Sequence, residues 1–134
     1  MNKQKTIRIL LAKAGCDIHE RGALTLLNIF RDAGMEVIYT GRYQLPEAIA
    51  NAAVTEDVDI IALTDLTGSL PIIAKQVIAA LKEVDAADIK IIAGGLLTEG
   101  DVKELEAMGV AGNFGTGSNT DLIVEYVKEI MGGQ

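Results

Sequence analysis

The amino-acid sequence predicts one doubly wound α/β domain over residues 1–134, with a five-stranded parallel sheet and helices on both of its faces. Five short apolar runs recur along the chain, and a segment with helical periodicity follows each of them. The nearly continuous apolar character of these runs is typical of strands that are buried on both faces. A chain of 134 residues, of which 49% are hydrophobic, is long enough to bury a single core.

The first strand and helix flank the most unusual stretch of the sequence. Residues 7–12 form the first apolar run. The helix that follows has apolar residues at intervals of three and four, at Ala23, Leu26, Leu27 and Phe30. Gly34 is the predicted end of this helix, because glycine adopts the left-handed conformation that commonly terminates helices. Residues 35–40 are predicted to form the second strand.

The middle of the chain contains the most regular helical pattern. Pro46 is predicted to lie in the first turn of the second helix, where proline is well tolerated, and the inner face of this helix would carry Ile49, Ala52 and Ala53. The third strand is predicted at residues 58–63, and residues 64–69 form the loop beyond it. The third helix keeps its apolar spacing for three turns, at Leu70, Ile73, Ala74, Val77, Ile78 and Leu81.

The last third of the chain repeats the alternation twice more. Residues 89–93 form the predicted fourth strand, and the pair Gly94–Gly95 follows it. Thr98 and Asp101 resemble a capping box at the start of the fourth helix, which Gly109 would end. Its apolar residues are Val102, Leu105 and Met108. Residues 110–114 form the fifth strand, and the final helix carries Leu122, Ile123, Tyr126, Val127 and Ile130.

Right-handed crossovers between these strands favour the order 2-1-3-4-5, which is a flavodoxin-like arrangement. In such sheets, ligands bind outside the carboxyl ends of the strands, near the switch in strand order. These ends carry His19, Thr64, the Gly94–Gly95 pair and the two glycines Gly115 and Gly117. We therefore expect the functional site at this edge of the sheet.

Composition excludes several classes of function. The net charge is −7, with 19 acidic and 12 basic residues, so the basic surface of a nucleic-acid-binding protein is not expected. No apolar stretch approaches the roughly 20 residues that span a bilayer, so we expect no membrane association. The single cysteine, Cys16, cannot form an internal disulfide, and no leader segment is apparent, which together favour a cytoplasmic location.

The stretch from Lys13 to Gly22 carries the chemistry. It contains the only histidine of the chain, His19, with Asp17 two positions earlier and Gly22 three positions later. In an extended segment, side chains two residues apart point to the same side, so Asp17 can orient the imidazole while the other ring nitrogen binds a ligand. The pattern D-x-H-x-x-G is short, and a lone histidine in such a loop is often an ordinary surface residue. The surrounding residues distinguish the two interpretations.

The segment of residues 11–23, LAKAGCDIHERGA, closely resembles the cobalamin-binding domain of methylmalonyl-CoA mutase and related acyl-CoA mutases. This resemblance implies that His19 is the lower axial ligand of cobalt in place of the cofactor's own base. It further implies that Asp17 hydrogen-bonds the imidazole and that Lys13 completes the relay. Arg21 could contact a side chain of the corrin ring.

The same resemblance assigns the glycines to a channel for the nucleotide tail of the cofactor. The family has an S-x-L segment after the third strand, a G-G pair after the fourth and an F-G-x-G turn after the fifth. The matching residues here are Thr64, Leu66, Gly94, Gly95, Gly115 and Gly117. Thr64 replaces serine and keeps its hydroxyl group. Asp65 replaces a residue that is more often neutral, and we expect its side chain to face solvent or the lysine-bearing surface.

The resemblance covers residues 6–130 and implies a cofactor-binding role. Enzymes of this family use adenosylcobalamin to rearrange an acyl-CoA that is held in a TIM barrel, and no barrel is present in this sequence. We therefore expect the chain to be a small subunit or domain that presents the cofactor to a large catalytic partner, with no catalytic residue of its own.

Three alternatives are weighed against this prediction. A corrinoid carrier for methyl transfer also has D-x-H-x-x-G, but resembles G-D-x-H-D-I-G at this point and usually has a helical cap before the first strand. A small subunit like that of glutamate mutase has a similar size and fold. A flavodoxin-like binding or signalling module would give His19 no metal role, although a receiver domain is disfavoured because no acidic pair follows the first strand.

Overall fold

Strands and helices alternate along the chain, as the hydrophobic pattern predicts. The computed structural model describes residues 6–13, 21–40, 45–110, 112–115 and 119–132, apart from the side chains of residues 21 and 22. In chain order the elements are β1 Arg8–Ala12, α1 Arg21–Asp32, β2 Glu36–Tyr39, α2 Pro46–Thr55, β3 Ile60–Asp65, α3 Leu70–Glu83, β4 Lys90–Gly95, α4 Glu99–Ala107, β5 Asn113–Gly115 and α5 Thr120–Ile130.

The five strands form one parallel sheet in the order β2-β1-β3-β4-β5, which confirms the predicted fold and strand order. Helices cover both faces, so the central strands are buried on both sides. Ile9, Leu10, Leu11 and Ala12 in β1 are all completely buried. The apolar runs in the sequence therefore reflect burial on two faces.

Side chains of each strand alternate between two cores. One core lies between the sheet and helices α2, α3 and α4, and includes Leu10, Leu63 and Ala93 from the strands. The other lies between the sheet and helices α1 and α5, and includes Leu11 and Ala62. Because successive side chains on a strand point to opposite faces, a residue's position in its strand decides which core it joins.

The helix starts follow the predicted local signals. Pro46 is in the first turn of α2. The capping box at the start of α4 is confirmed, because the Asp101 N–H donates to Thr98 Oγ1 and the Thr98 N–H donates to Asp101 Oδ2, both at 3.0 Å. Asn119 caps α5 by accepting a hydrogen bond of 2.8 Å from the Asp121 N–H.

The second residue after the end of each helix has a positive φ. Three of these residues are the glycines Gly34, Gly109 and Gly132, and the first two were predicted to end their helices. The other two are Asp57 and Asp85, with φ of 52° and 58°. Left-handed backbone is strained for residues with a side chain, although aspartate tolerates it better than most.

Several element boundaries and inner faces differ from the predictions. The strand β3 begins and ends two residues later than predicted and so includes Thr64 and Asp65. The last strand is also displaced toward the carboxyl end, to Asn113–Gly115. Leu122, one of the apolar residues listed for the last helix, is exposed, and in α2 Ala50 is buried more completely than Ala52.

Candidate functional site at the carboxyl edge of the sheet

The carboxyl ends of the five parallel strands lie along one edge of the sheet, which we call the carboxyl edge. Residue pairing across the sheet arranges this edge in two rows. Thr64, Gly94 and Phe114 form one row, and Asp65, Gly95 and Gly115 form the next row outward. The predicted site residues on β3, β4 and β5 are therefore direct neighbours.

The row that contains Thr64 faces helices α1 and α5. Ala62 packs in the core on that side, and Thr64 lies two residues further along the same strand, so its side chain points to the same face. Phe114 packs in the same core. Gly94, which lies between Thr64 and Phe114, has no side chain, so a gap remains between a hydroxyl group and an aromatic ring.

Phe114 is held by an aromatic contact with Tyr126 of α5. The two rings meet edge to face, with centroids 5.7 Å apart and an interplanar angle of 75°. Burial and the nearby negative charge of Glu129 raise the pKa of the Tyr126 hydroxyl above 10.0. The aromatic wall of the gap is thus fixed to the last helix by packing.

Lys13 follows β1 directly and is completely buried. Lysine is almost never fully buried unless its charge is compensated, because removing an ammonium group from water is costly. Ala12 pairs with Leu63, so the next residues along the two strands are Lys13 and Thr64. Lys13 therefore lies near the row of Thr64, at the edge where ligands bind in this fold.

The glycines at this edge differ in what surrounds them. A Cβ atom on Gly95 would lie 1.9 Å from the carbonyl oxygen of Asp65, and the φ of Gly95 is 135°. At Gly94 a Cβ would lie 3.2 Å from the carbonyl oxygen of Phe114, whereas at Gly115 it would meet no atom of the described residues within 4 Å. Gly95 is thus required by the close approach of the two strand ends, whereas no contact with a described residue requires glycine at position 115.

The expectation for Asp65 was wrong. Its side chain is 1% exposed, so it does not face solvent. Because Asp65 belongs to β3, its side chain points away from the face of Thr64, towards α3. The carboxylate accepts hydrogen bonds from Thr67 Oγ1 at 2.7 Å and from the Ser69 N–H at 2.8 Å.

Exposed apolar side chains surround the carboxyl edge. Seven large apolar residues are exposed in the part of the chain that the structure describes, and five of them lie at the start of a helix or directly after a strand end. These five residues, the apolar rim, are Leu24, Leu45, Ile72, Leu96 and Leu122. Helices begin at the edge where parallel strands end, so the rim surrounds the candidate site.

The other predicted site residues cannot be located relative to the residues at the carboxyl edge. Asp17, His19 and Gly117 lie outside the described residues, as does Cys16. The backbone of Arg21 and Gly22 forms the first turn of α1, but their side-chain positions are not described. Their roles therefore stay predictions. The structure does place the start of α1 directly after the segment that contains His19, at the carboxyl edge.

This arrangement can be compared with known proteins. The family model for the B12-binding domain matches residues 7–125, which is most of the chain. The chain belongs to the B12-binding domain family. The match includes every element from β1 to the middle of α5.

Two relatives of the B12-binding domain have nearly the same length as this chain. One is the 2-hydroxyisobutanoyl-CoA mutase small subunit of Aquincola tertiaricarbonis, which is 34% identical over 128 residues, covering 96% of this chain and 94% of the relative. The other is the pivalyl-CoA mutase small subunit of Xanthobacter autotrophicus, which is 36% identical over 126 residues, covering 94% of this chain and 84% of the relative.

Solved structures support the fold. A cobalamin-binding protein from Desulfitobacterium hafniense superimposes with a TM-score of 0.79 and 21% identity over 93% of this chain. The matched region is 59% of that protein's chain. At this level of identity the similarity establishes the fold alone, and the assignment of individual residues depends on the geometry of the carboxyl edge.

The described residues fit cobalamin. Thr64 supplies a hydroxyl group on the face of α1 and α5, and Gly94 puts no side chain between this hydroxyl group and the ring of Phe114. A hydroxyl group can hydrogen-bond a heterocyclic nitrogen, and an aromatic ring can pack against a flat base. Sequence reasoning missed the part played by Asp65, Thr67 and Ser69, although the order Asp-x-Thr-x-Ser before a helix is a recognisable signal for a local hydrogen-bonded turn.

Proposed function

We propose that this B12-binding domain is the cofactor-binding subunit or domain of an adenosylcobalamin-dependent acyl-CoA mutase. The observation that carries the proposal is the similarity to two acyl-CoA mutase small subunits over at least 84% of the length of each. Adenosylcobalamin, when bound, supplies the radical chemistry of such mutases, and the residues of the chain hold and orient it. The chain is therefore expected to be inactive alone.

In this proposal His19 is the lower axial ligand of cobalt. Asp17 accepts a hydrogen bond from the other ring N–H, which fixes the orientation of the imidazole and increases its basicity. Lys13 supports this pair, and its complete burial at the end of β1 is consistent with that role. Arg21 and Gly22, at the start of α1, complete the surface below the corrin ring.

The nucleotide tail of the cofactor is proposed to lie along the face of α1 and α5. The Thr64 hydroxyl hydrogen-bonds the base, and Leu66 contacts it. Gly94 and Gly95 allow close approach of the backbone, with Gly115 and Gly117 at the end of the channel. Support for this path comes from the row of Thr64, Gly94 and Phe114.

The catalytic partner is proposed to be a separate large subunit with a TIM barrel that binds the acyl-CoA substrate. Both length-matched relatives are small subunits, which implies that the rest of each enzyme is on another chain. The apolar rim around the carboxyl edge supports contact with such a chain, because clustered exposed apolar residues commonly mark protein interfaces. The corrin ring would then lie between the two subunits.

Electron paramagnetic resonance tests the axial ligand directly. The chain has one histidine, so nitrogen-15 labelling of histidine in untagged protein labels only His19. Cob(II)alamin bound through His19 shows superhyperfine splitting that changes from a triplet to a doublet on labelling. Splitting that does not change on labelling means that the cofactor keeps its own base, and this result would refute the proposed axial ligand.

A matched pair of variants extends the test. His19→Ala removes the ligand, so the label-dependent splitting must disappear, while Asp17→Asn keeps the ligand and alters only its orienting partner. We expect Asp17→Asn to retain nitrogen splitting with weaker cofactor binding. If the wild-type protein binds no cobalamin at all, the proposed function is wrong and a flavodoxin-like binding module without a metal role becomes the better description.

A further inference from the structure

Asp65 is a buried carboxylate at the carboxyl end of β3. It is 1% exposed, and each of its two oxygens accepts one hydrogen bond from the four residues that follow. Thr67 Oγ1 also lies 3.1 Å from Ser69 Oγ, whose hydroxyl group can donate to it. These bonds close the turn between β3 and α3 on itself.

The backbone of Asp65 ties this turn to the neighbouring strand. Its carbonyl oxygen accepts a hydrogen bond of 3.0 Å from the Leu96 N–H, beyond the end of β4. The same oxygen lies 1.9 Å from the position of a Cβ on Gly95, so the two strand ends are in very close contact. One residue therefore connects the turn after β3 with the glycine pair after β4.

Thr64 precedes Asp65 and points to the opposite face of the sheet. A strand residue whose side chain is fixed on one face restrains the backbone of its neighbour, whose side chain projects from the other face. We propose that Asp65 is a positioning residue. By holding Thr67 and Ser69 on the α3 side, its carboxylate fixes the Thr64 hydroxyl and the Gly94–Gly95 backbone in the geometry that binds the nucleotide tail of cobalamin.

The carboxylate suits this role because it offers two acceptor oxygens in fixed directions. Hydrogen bonds to an ionised acceptor are roughly twice as strong as neutral ones. An asparagine side chain can still accept a hydrogen bond from the Ser69 N–H with its one oxygen. Its NH₂ group would then face Thr67 Oγ1, so the hydrogen bond that Thr67 donates to Asp65 would be lost. Serine is too short to reach both partners. The proposal rests on the proposed function, because it concerns the tail of the same cofactor.

The test compares two corrinoids that differ only in the tail. Wild-type protein and the Asp65→Ser and Asp65→Asn variants are titrated with cobalamin and with cobinamide, which lacks the nucleotide, and dissociation constants are measured from absorbance spectra. We expect Asp65→Ser to weaken cobalamin binding about tenfold, with a smaller loss for Asp65→Asn. Cobinamide affinity should stay unchanged, because no tail is there to be positioned.

The variant Thr67→Val provides a second test in case the Asp65 variants do not fold. Thr67→Val removes one hydrogen bond to Asp65 and leaves the carboxylate in place, and we expect it to weaken cobalamin binding two- to threefold without affecting cobinamide. Equal losses for both corrinoids would show a general structural role and overturn the proposal, as would unchanged cobalamin binding in all variants. Wild-type protein that binds neither corrinoid would overturn the proposed function as well.

Discussion

The two edges of the sheet use charged residues in opposite ways. At the amino edge, Arg8 makes ion pairs with Glu36 and Glu56, and its Nε donates to the Glu56 carbonyl at 2.9 Å. The Arg8 N–H donates to Asp59 Oδ2 at 2.9 Å. At the carboxyl edge, Lys13 and Asp65 are charged residues that are almost completely buried, while apolar side chains are exposed around them.

This difference separates stability from binding. Solvated ion pairs at the amino edge link β1, β2 and the α2–β3 connection at little desolvation cost. Buried charges and exposed apolar residues at the carboxyl edge are costly for an isolated chain, so we interpret them as features kept for a ligand and a partner. Substitutions at the two edges should therefore affect different measurements.

The largest effect is expected at Gly95. Gly95→Ala puts a methyl group against the Asp65 carbonyl oxygen at a positive φ, which neither strand can relieve, so we expect a loss of about 3 kcal/mol in the free energy of unfolding. Urea denaturation followed by circular dichroism measures it. The matched control is Gly115→Ala, where the added methyl group meets no atom of the residues that the structure describes and stability should stay within about 0.5 kcal/mol.

The Gly115→Ala control also tests cobalamin binding. By the alternation of side chains, the added methyl group at Gly115 projects from the same face as Asp65, opposite the proposed tail path beside Thr64, so Gly115→Ala should leave both the fold and the cobalamin affinity unchanged. Equal stability losses for the two alanine variants would show that glycine at this edge serves the backbone alone.

An intermediate effect is expected at Lys13. Lys13→Met keeps a long side chain and removes both the cost of a buried charge and its favourable interactions, so the free energy of unfolding should change by less than about 1 kcal/mol. Cobalamin affinity should fall about tenfold because support for the axial ligand is lost. Absorbance titration and urea denaturation give the two values. A large stability loss with unchanged affinity would assign Lys13 to the fold instead.

A smaller effect is expected at Arg8. Its side chain is 27% exposed, so its ion pairs are screened, and Arg8→Met should cost about 1 kcal/mol of stability. Molar salt should reduce the difference between variant and wild type, since salt screens the pairs. Cobalamin affinity should not change. An affinity loss at Arg8 equal to that at Lys13 would contradict the separation of the two edges.

The smallest effect is expected at alkaline pH. The pKa of Tyr126 is raised in the folded protein, so its proton is held more tightly there than in the unfolded chain. This contribution is complete below pH 10.0 and is lost as the pH rises through the folded-state pKa. Stability should thus decline slightly above that pH, and Tyr126→Phe should remove this part of the decline in urea denaturation measured against pH.

The sequence alone predicts the fold well because its signals are local. Apolar runs, helical spacing and the capping box at Thr98 need no knowledge of distant residues, and strand order follows from the handedness of crossovers. The ion pairs of Arg8 could not be predicted, because Glu36 and Glu56 are 28 and 48 residues away in the chain.

The candidate site was predicted less completely than the fold, for a specific reason. Ending the third strand at Leu63 put Asp65 in a loop, where a carboxylate normally faces water. Two more strand residues reverse that conclusion, because alternation directs Asp65 inward under α3. The close approach of the two strand ends also explains Gly95. The sequence analysis predicted that this glycine makes room for the ligand, and the structure shows that it also makes room for the carbonyl oxygen of Asp65.

The strained aspartates after two of the helices bear on how this protein can evolve. Asp57 and Asp85 precede β3 and β4 at the amino edge, far along the strands from the candidate site. Glycine at each position would relieve up to about 1 kcal/mol of backbone strain. Such gains would offset the cost of new residues at the carboxyl edge, so the chain holds a margin within which its choice of ligand or partner could change without loss of the fold.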